Sequence, residues 1–202
     1  MGMSCVSFFF EFEVKDMNRQ QLLDCLADSP VIAAVGEDGF EAALASPAEV
    51  VFCLRASILT IPQYVKQAHA AGKMIFVHID LADGVGRDRA GLAYLGSLGV
   101  DGVISTRTQL VRAAREEGLL TVQRFFALDS QGLASMEETL GGVSPDLVEI
   151  MPGVIGKVVA RVASGKIPVI AGGLIETKDE LLGALSHGAL AVSTGKKELW
   201  YM

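Results

Sequence analysis

From residue 30 onward, nearly continuous apolar and β-branched runs alternate with segments of mixed polarity. The runs begin near Pro30 (PVIAAVG), Glu49 (EVVFCLR), Lys73 (KMIFVHID), Asp101 (DGVIST), Leu120 (LTVQRFF), Asp146 (DLVEIMPG), Pro168 (PVIAGGLI) and Ala189 (ALAVSTG). They lack the polar alternation of a half-exposed strand, which is the pattern of parallel strands covered on both faces. The intervening SILTIPQYVKQAHAAGK, TQLVRAAREEG and TKDELLGALSHGA are rich in Ala, Leu, Glu and Lys and read as helices. Thr177 with Glu180 three positions on predicts a capping box, and Gly72, Gly118 and Gly188 stand where helices should stop.

The run starts are separated by 19, 24, 28, 19, 26, 22 and 21 residues, room for one strand, one helix and two short loops each time. Eight such units predict an α/β fold of the compact (β/α)8 TIM-barrel type rather than a doubly wound open sheet, which uses five or six strands. Only Lys196 to Met202 follow the last run, so the final helix should be truncated. Residues 30–202 then form one barrel domain, preceded by an N-terminal extension over 1–29 that is part helical at 16–28. Leu22, Leu23 and Leu26 share a face of that helix, which either closes the bottom of the barrel or fills the gap beside the final stub. The first fifteen residues carry no assignment.

Composition adds limits. Half of the 202 residues are hydrophobic and 20% are charged, which excludes disorder, and no apolar run approaches a membrane span. Cys5, Cys25 and Cys53 are odd in number, form no CxxC and have no histidine at metal-ligand spacing, so they read as idle thiols in a reducing cytoplasm. Val6 to Phe10 is apolar but has no preceding base, unlike a secretory signal. The net charge of −7 lies wholly in residues 1–50, where nine acids face Lys15 and Arg19; the remainder balances fifteen acids with fifteen bases. A formally neutral body can still hold a local basic patch.

In a TIM barrel the ligand site lies at the C-terminal ends of the strands. Those ends are polar here: His78 and Asp80 on the third strand, Ser105, Thr106 and Arg107 on the fourth, Gln123 and Arg124 on the fifth, Glu149 on the sixth. Gly172 and Gly173 end the seventh, and Ser193, Thr194 and Gly195 the eighth. Glycine-rich loops after strands seven and eight bring backbone N–H groups to a phosphate, so Gly172, Gly173, Ser193, Thr194 and Gly195 are phosphate candidates. Their alternative role is to turn the chain and cap the stub. Arg124 and Glu149 are too costly to bury against the helices and should face the lumen, either on a ligand or paired with one another. His78 and Asp80, two apart, are expected on one strand face, and together with Glu149 they could in principle ligate a divalent metal. We read these residues as partners for ligand hydroxyls or neighbours, with Ser105 and Gln123 beside them, and not as a metal site. His69 and His187 are expected on terminal helix carbonyls.

There is no G-x-S-x-G elbow, no P-loop, no complete dinucleotide fingerprint and no lysine ending a central strand for Schiff-base chemistry. No catalytic residue and no cofactor are assigned. Arg55, Arg87, Arg89, Arg107, Lys196 and Lys197 gather on expected mouth loops, with Arg112 and Arg115 along the fourth helix; they could hold a nucleic-acid backbone or be solvated charges offset by Asp83 and Asp88. Phe125, Phe126 and Trp200 are the aromatic residues near enough to stack with bases.

The wording FVHIDL-x-x-G (76–84), DGVISTR (101–107), GLLTVQRFFALDS (118–130), EIMPG (149–153), IPVIAGGLIETKDE (167–180) and AVSTGKKELW (191–200) resembles the glycerol-3-phosphate responsive antiterminator family over residues 30–202. The resemblance implies a cytoplasmic TIM-barrel transcription regulator that is not an enzyme, binds glycerol 3-phosphate as effector and acts on leader mRNA of glycerol uptake genes. It places Gly172, Gly173, Ser193 and Thr194 on the phosphate and His78, Asp80, Arg124 and Glu149 near the glycerol part. A membrane partner is not expected, and a homodimer is left open as the source of the RNA surface. Two stretches depart from the family: Gly195-Lys196 stands where Ser-Asn is commoner, and Arg55-Ala56-Ser57 differs after strand two. The rival reading is a phosphosugar or triose-phosphate isomerase, aldolase or synthase, with Glu149 or Asp80 as base and His78 as acid.

Overall fold

The computed structural model describes residues 19–36, 38–127 and 129–202. A helix over 19–28 (α1) leads into β1 (Val31–Val35), α2 (Phe40–Ala45), β2 (Val50–Cys53), α3 (Ile61–Ala70) and β3 (Met74–His78). After a 3-10 turn at Ile79–Leu81 come α4 (Arg89–Ser97), β4 (Gly102–Ser105), α5 (Thr108–Glu116), β5 (Leu120–Phe126) and α6 (Ser130–Gly142). The chain ends with β6 (Leu147–Met151), α7 (Gly156–Ala163), β7 (Val169–Gly172), α8 (Lys178–Ser186), β8 (Ala191–Thr194) and a 3-10 helix, Lys197–Tyr201. All eight strands pair in parallel and in order, and β1 closes on β8. The fold is therefore the (β/α)8 barrel with a truncated last helix that the spacing predicts.

The expected capping box forms: the Thr177 hydroxyl accepts from Glu180 N–H, and the Glu180 carboxylate accepts from Thr177 N–H at 2.9 Å. The extension helix is described only from residue 19, and residues 1–18 lie outside the described residues. Its role is settled in favour of closing the bottom. Leu22 and Leu26 are fully buried and cluster with Ile32, Val50, Phe52, Phe76, Leu120 and Leu147, the inward-facing side chains of the strands. Arg19 also reaches the buried Asp146 carboxylate at 3.4 Å, and that carboxylate takes the Thr121 N–H and hydroxyl.

Alternate residues of each strand point inward and outward. Ile32, Phe52, Phe76, Ile104, Val122 and Ile170 fill the lumen; Val51, Val77, Val103, Val148, Ala171 and Val192 pack under the helices. Phe76 fits because its inward neighbour is Gly102, where a Cβ would strike the Phe76 ring. This parity decides which strand-end residues can meet a ligand.

Candidate binding site

The apolar filling stops one layer below the mouth. There the inward positions are His78 on β3, Arg124 on β5, Glu149 on β6, Gly172 on β7 and Ser193 on β8. Arg124 lies beside Glu149 in the strand register, and Gly172 beside Ser193. Arg124 Nε meets Glu149 Oε2 at 2.6 Å, and the Ser193 hydroxyl donates to Glu149 Oε1 at 2.5 Å. Arg124 and Glu149 both face the lumen and are paired with one another. Glu149 is completely buried and Arg124 is 7% exposed. Gly172 makes room for the pair, since a Cβ there would strike Glu149 Oε1 and lie 2.7 Å from Ser193 Oγ.

His78 is 4% exposed, and its Nδ1 has no hydrogen-bond partner among the described residues. Burial pushes its pKa below the ordinary value and the Arg124 charge adds to this, against opposing pulls from Asp80 and Glu149. The ring is held neutral near pH 7.

Asp80 does not share a strand face with His78, as its spacing suggested. The strand ends at His78, and Asp80 sits in the 3-10 turn, where its carboxylate accepts from the Ser105 hydroxyl (2.9 Å), Thr106 N–H (2.7 Å) and Thr106 hydroxyl (2.9 Å). Burial alone would raise its pKa, but these hydrogen bonds outweigh it and hold the carboxyl below the usual range. Ser105 and Gln123 take the outward parity and are fully buried under the helices. Gln123 Nε2 donates to Thr106 O at 3.1 Å. These residues brace the loop after β4 and do not line the mouth. Thr106 was not singled out as a site residue, although its hydroxyl and N–H join the loops after β3 and β4.

The loops after β6, β7 and β8 are stacked on each other. Gly153 N–H donates to Gly172 O at 2.6 Å, and a Cβ at Gly153 would lie 2.7 Å from Gly172 N. Gly153 was missed because a lone Gly after Pro reads as an ordinary turn. Gly173 and Leu174 both have positive φ, 73° and 59°, so the β7 loop turns through two left-handed residues in succession. Thr194 points outward and ties this loop down: its hydroxyl donates to Ile175 O at 2.8 Å and accepts Lys196 N–H at 3.1 Å. Trp200 Nε1 donates to Thr194 O, and its ring is buried, which removes it from any role in stacking with bases.

The basic residues do not form one rim. Arg89 pairs with Glu117 at 2.6 Å and with Glu116 at 3.6 Å, which neutralises it on the helix layer. Arg112 and Arg115 donate to Gly142 O and Ser144 O. Arg55 and Arg87 line a surface cleft of about 440 Å³ with Ser57, Thr60, Tyr64 and Asp83, while Asp88 caps α4 on Gly91 N–H. Arg107 lies 3.8 Å from Asp80, Lys196 lies 3.5 Å from Glu176, and Lys197 is exposed. Phe126 is exposed beside the mouth, whereas Phe125 packs into the helix layer. His187 meets the helix carbonyl of Gly183, but His69 pairs with Asp101 at 3.0 Å instead. Among the described residues no helix is long and apolar enough to cross a membrane, and no group of three His, Cys, Asp or Glu could hold a metal ion.

The model of the family described as glycerol-3-phosphate responsive antiterminator matches residues 31–200. The uncharacterized protein YgcP of Escherichia coli K12 is 34% identical over 182 residues, covering 89% of this chain and 95% of its own. A glycerol uptake operon antiterminator regulatory protein from Listeria monocytogenes superposes with a TM-score of 0.79 at 33% identity, over 84% of this chain and 94% of its own. A glycerol uptake operon antiterminator-related protein from Thermotoga maritima does so at 0.78 and 32%, over 86% and 99%.

Proposed function

The chain belongs to the glycerol-3-phosphate responsive antiterminator family, and on that premise we propose that it is a cytoplasmic, non-catalytic regulator that binds glycerol 3-phosphate in the barrel mouth and acts on leader mRNA of glycerol uptake genes. The observation that carries this reading is the polar floor of His78, Arg124, Glu149 and Ser193, set on an otherwise apolar lumen and beneath the glycine loops of β7 and β8. The phosphate sits against Gly172, Gly173, Ser193 and Gly195, with Thr194 turned outward to brace the loops, and the glycerol carbons reach down to the floor. Arg55, Arg87, Arg107, Lys196 and Lys197 hold the RNA backbone. Arg89, paired with Glu116 and Glu117, drops out of that set.

A ligand switches RNA binding only through its different affinity for two protein states. The coupling element is the turn that follows His78: contact at His78 bears on Asp80, and Asp80 holds both Thr106 and Arg107. Leader RNA should therefore bind at least about fivefold more tightly with saturating glycerol 3-phosphate than without it, the lower end of ordinary allosteric coupling. Filter binding across a salt series checks this, and equal affinities in the two conditions would remove the regulatory reading.

A further inference from the structure

We propose that the floor of the mouth is an electrically neutral, hydroxyl-selective subsite, in which Glu149, by neutralising Arg124, excludes ligands that carry a carboxylate at the end opposite the phosphate. The proposal rests on the reading that a phosphorylated three-carbon compound binds in the mouth, and it names the feature that selects among such compounds.

Among the described inward positions of the strands, Arg124 is the one cation and Glu149 the one anion. Their contact at 2.6 Å is buried, and the second Glu149 oxygen is taken by Ser193. The floor thus carries no net charge while it keeps hydrogen-bonding capacity. Arg124 engages Glu149 through Nε, and its two Nη atoms are further donors of the same guanidinium. His78 Nδ1 is buried and unpartnered beside them. In a neutral imidazole that nitrogen is a donor or an acceptor according to tautomer, and a hydroxyl satisfies either form because it both donates and accepts. A carboxylate accepts only. It would force the Nδ1–H tautomer and enter a buried floor that offers no net positive charge, where an anion is costly to bury. Arg124 cannot offset this, because its charge is already balanced.

The test is isothermal titration of the full chain with sn-glycerol 3-phosphate and with 3-phosphoglycerate, which replaces the terminal CH2OH by a carboxylate and keeps the phosphate. The wild type should prefer the polyol by about 100-fold, as expected where an anion is buried without a net counter-charge. In Glu149→Gln the unopposed Arg124 should lower that ratio by at least about tenfold or reverse it. The double variant Arg124→Gln/Glu149→Gln restores neutrality and should keep the wild-type preference, which a merely structural role for Glu149 does not predict. It also decides the matter should Glu149→Gln alone fail to fold. Equal wild-type affinities for the two compounds, an unchanged ratio in folded Glu149→Gln, or loss of preference in the double variant overturns the proposal. Wild-type protein that binds neither compound overturns the underlying functional reading as well, which distinguishes the two failures.

Discussion

His78 differs from the other polar residues of the mouth in that its environment opposes its charged form and leaves one of its nitrogens unpartnered. Because burial, with Arg124, depresses its folded-state pKa below 6.5, protonation favours the unfolded chain. Its contribution to stability is fully present above pH 6.5 and declines as pH falls through the window below that value. The slope approaches about 1.4 kcal/mol per pH unit for one proton. Urea unfolding of wild type and His78→Gln at pH 7.5, 6.5 and 5.5 should show the wild type losing more on acidification; parallel losses would mean that the ring is protonated without cost. This residue was legible in the sequence, as were Arg124, Glu149 and Ser193, because each is a polar interruption of an apolar run and burial leaves it one place to go. Asp80, Ser105 and Gln123 were not placed correctly. The backbone leaves the strand at Ile79, so the two-residue alternation that should have carried Asp80 to His78's face ends there. Ser105 and Gln123 stand one position off the inward parity, which strand-end counting does not resolve.

At the scale of elements, the eight strands could be read from runs and spacing because a barrel strand buried on both faces needs continuous apolar sequence. The helix over 19–28 falls within the 16–28 expected from Leu22, Leu23 and Leu26, but the sequence left two docking places open, since an amphipathic face reports that it is covered and not by what. The lumen supplies the answer. Strands as short as four residues leave the base of the barrel open, and Leu26 enters it among Val50, Phe52 and Phe76. Leu26→Ala would leave a void that neighbours on rigid strands cannot collapse into, at an expected cost of about 2–5 kcal/mol. Leu23→Ala, at a half-buried position on the same helix, should cost less than half of that. Chemical denaturation of the two variants checks the difference, and similar small losses would show that the helix does not close the barrel. The glycine loops are the element least visible beforehand. Gly153 matters because its backbone lies against Gly172, a contact between segments some twenty residues apart that no local motif records.

For the whole molecule, the net charge of −7 misleads as a guide to partners. All of it sits in residues 1–50, and residues 51–202, which carry every residue of the polar floor, are balanced. Yet balance does not make every base available, and ion pairing removes some that sequence position alone would count. Arg89 is closely paired with Glu117, while Arg112 and Arg115 are directed to carbonyls of the following segment. Arg55, Arg87, Arg107, Lys196 and Lys197 are the five proposed for an RNA backbone; Arg107 and Lys196 lie 3.8 and 3.5 Å from Asp80 and Glu176, looser contacts than the 2.6 Å of Arg89 to Glu117. Counterion release from single-stranded RNA contributes a slope of about −0.7 in log K against log salt for each phosphate neutralised, so the full set predicts a slope no steeper than about −3.5. Replacing Arg87 by Ala should reduce its magnitude by about 0.7, whereas Arg89→Ala should leave it nearly unchanged because Glu116 and Glu117 already compensate that charge. Affinities for leader RNA between about 50 and 200 mM salt read both slopes. If Arg89→Ala flattens the slope as much as Arg87→Ala does, the RNA lies over the helix layer beside α4 and not around the mouth.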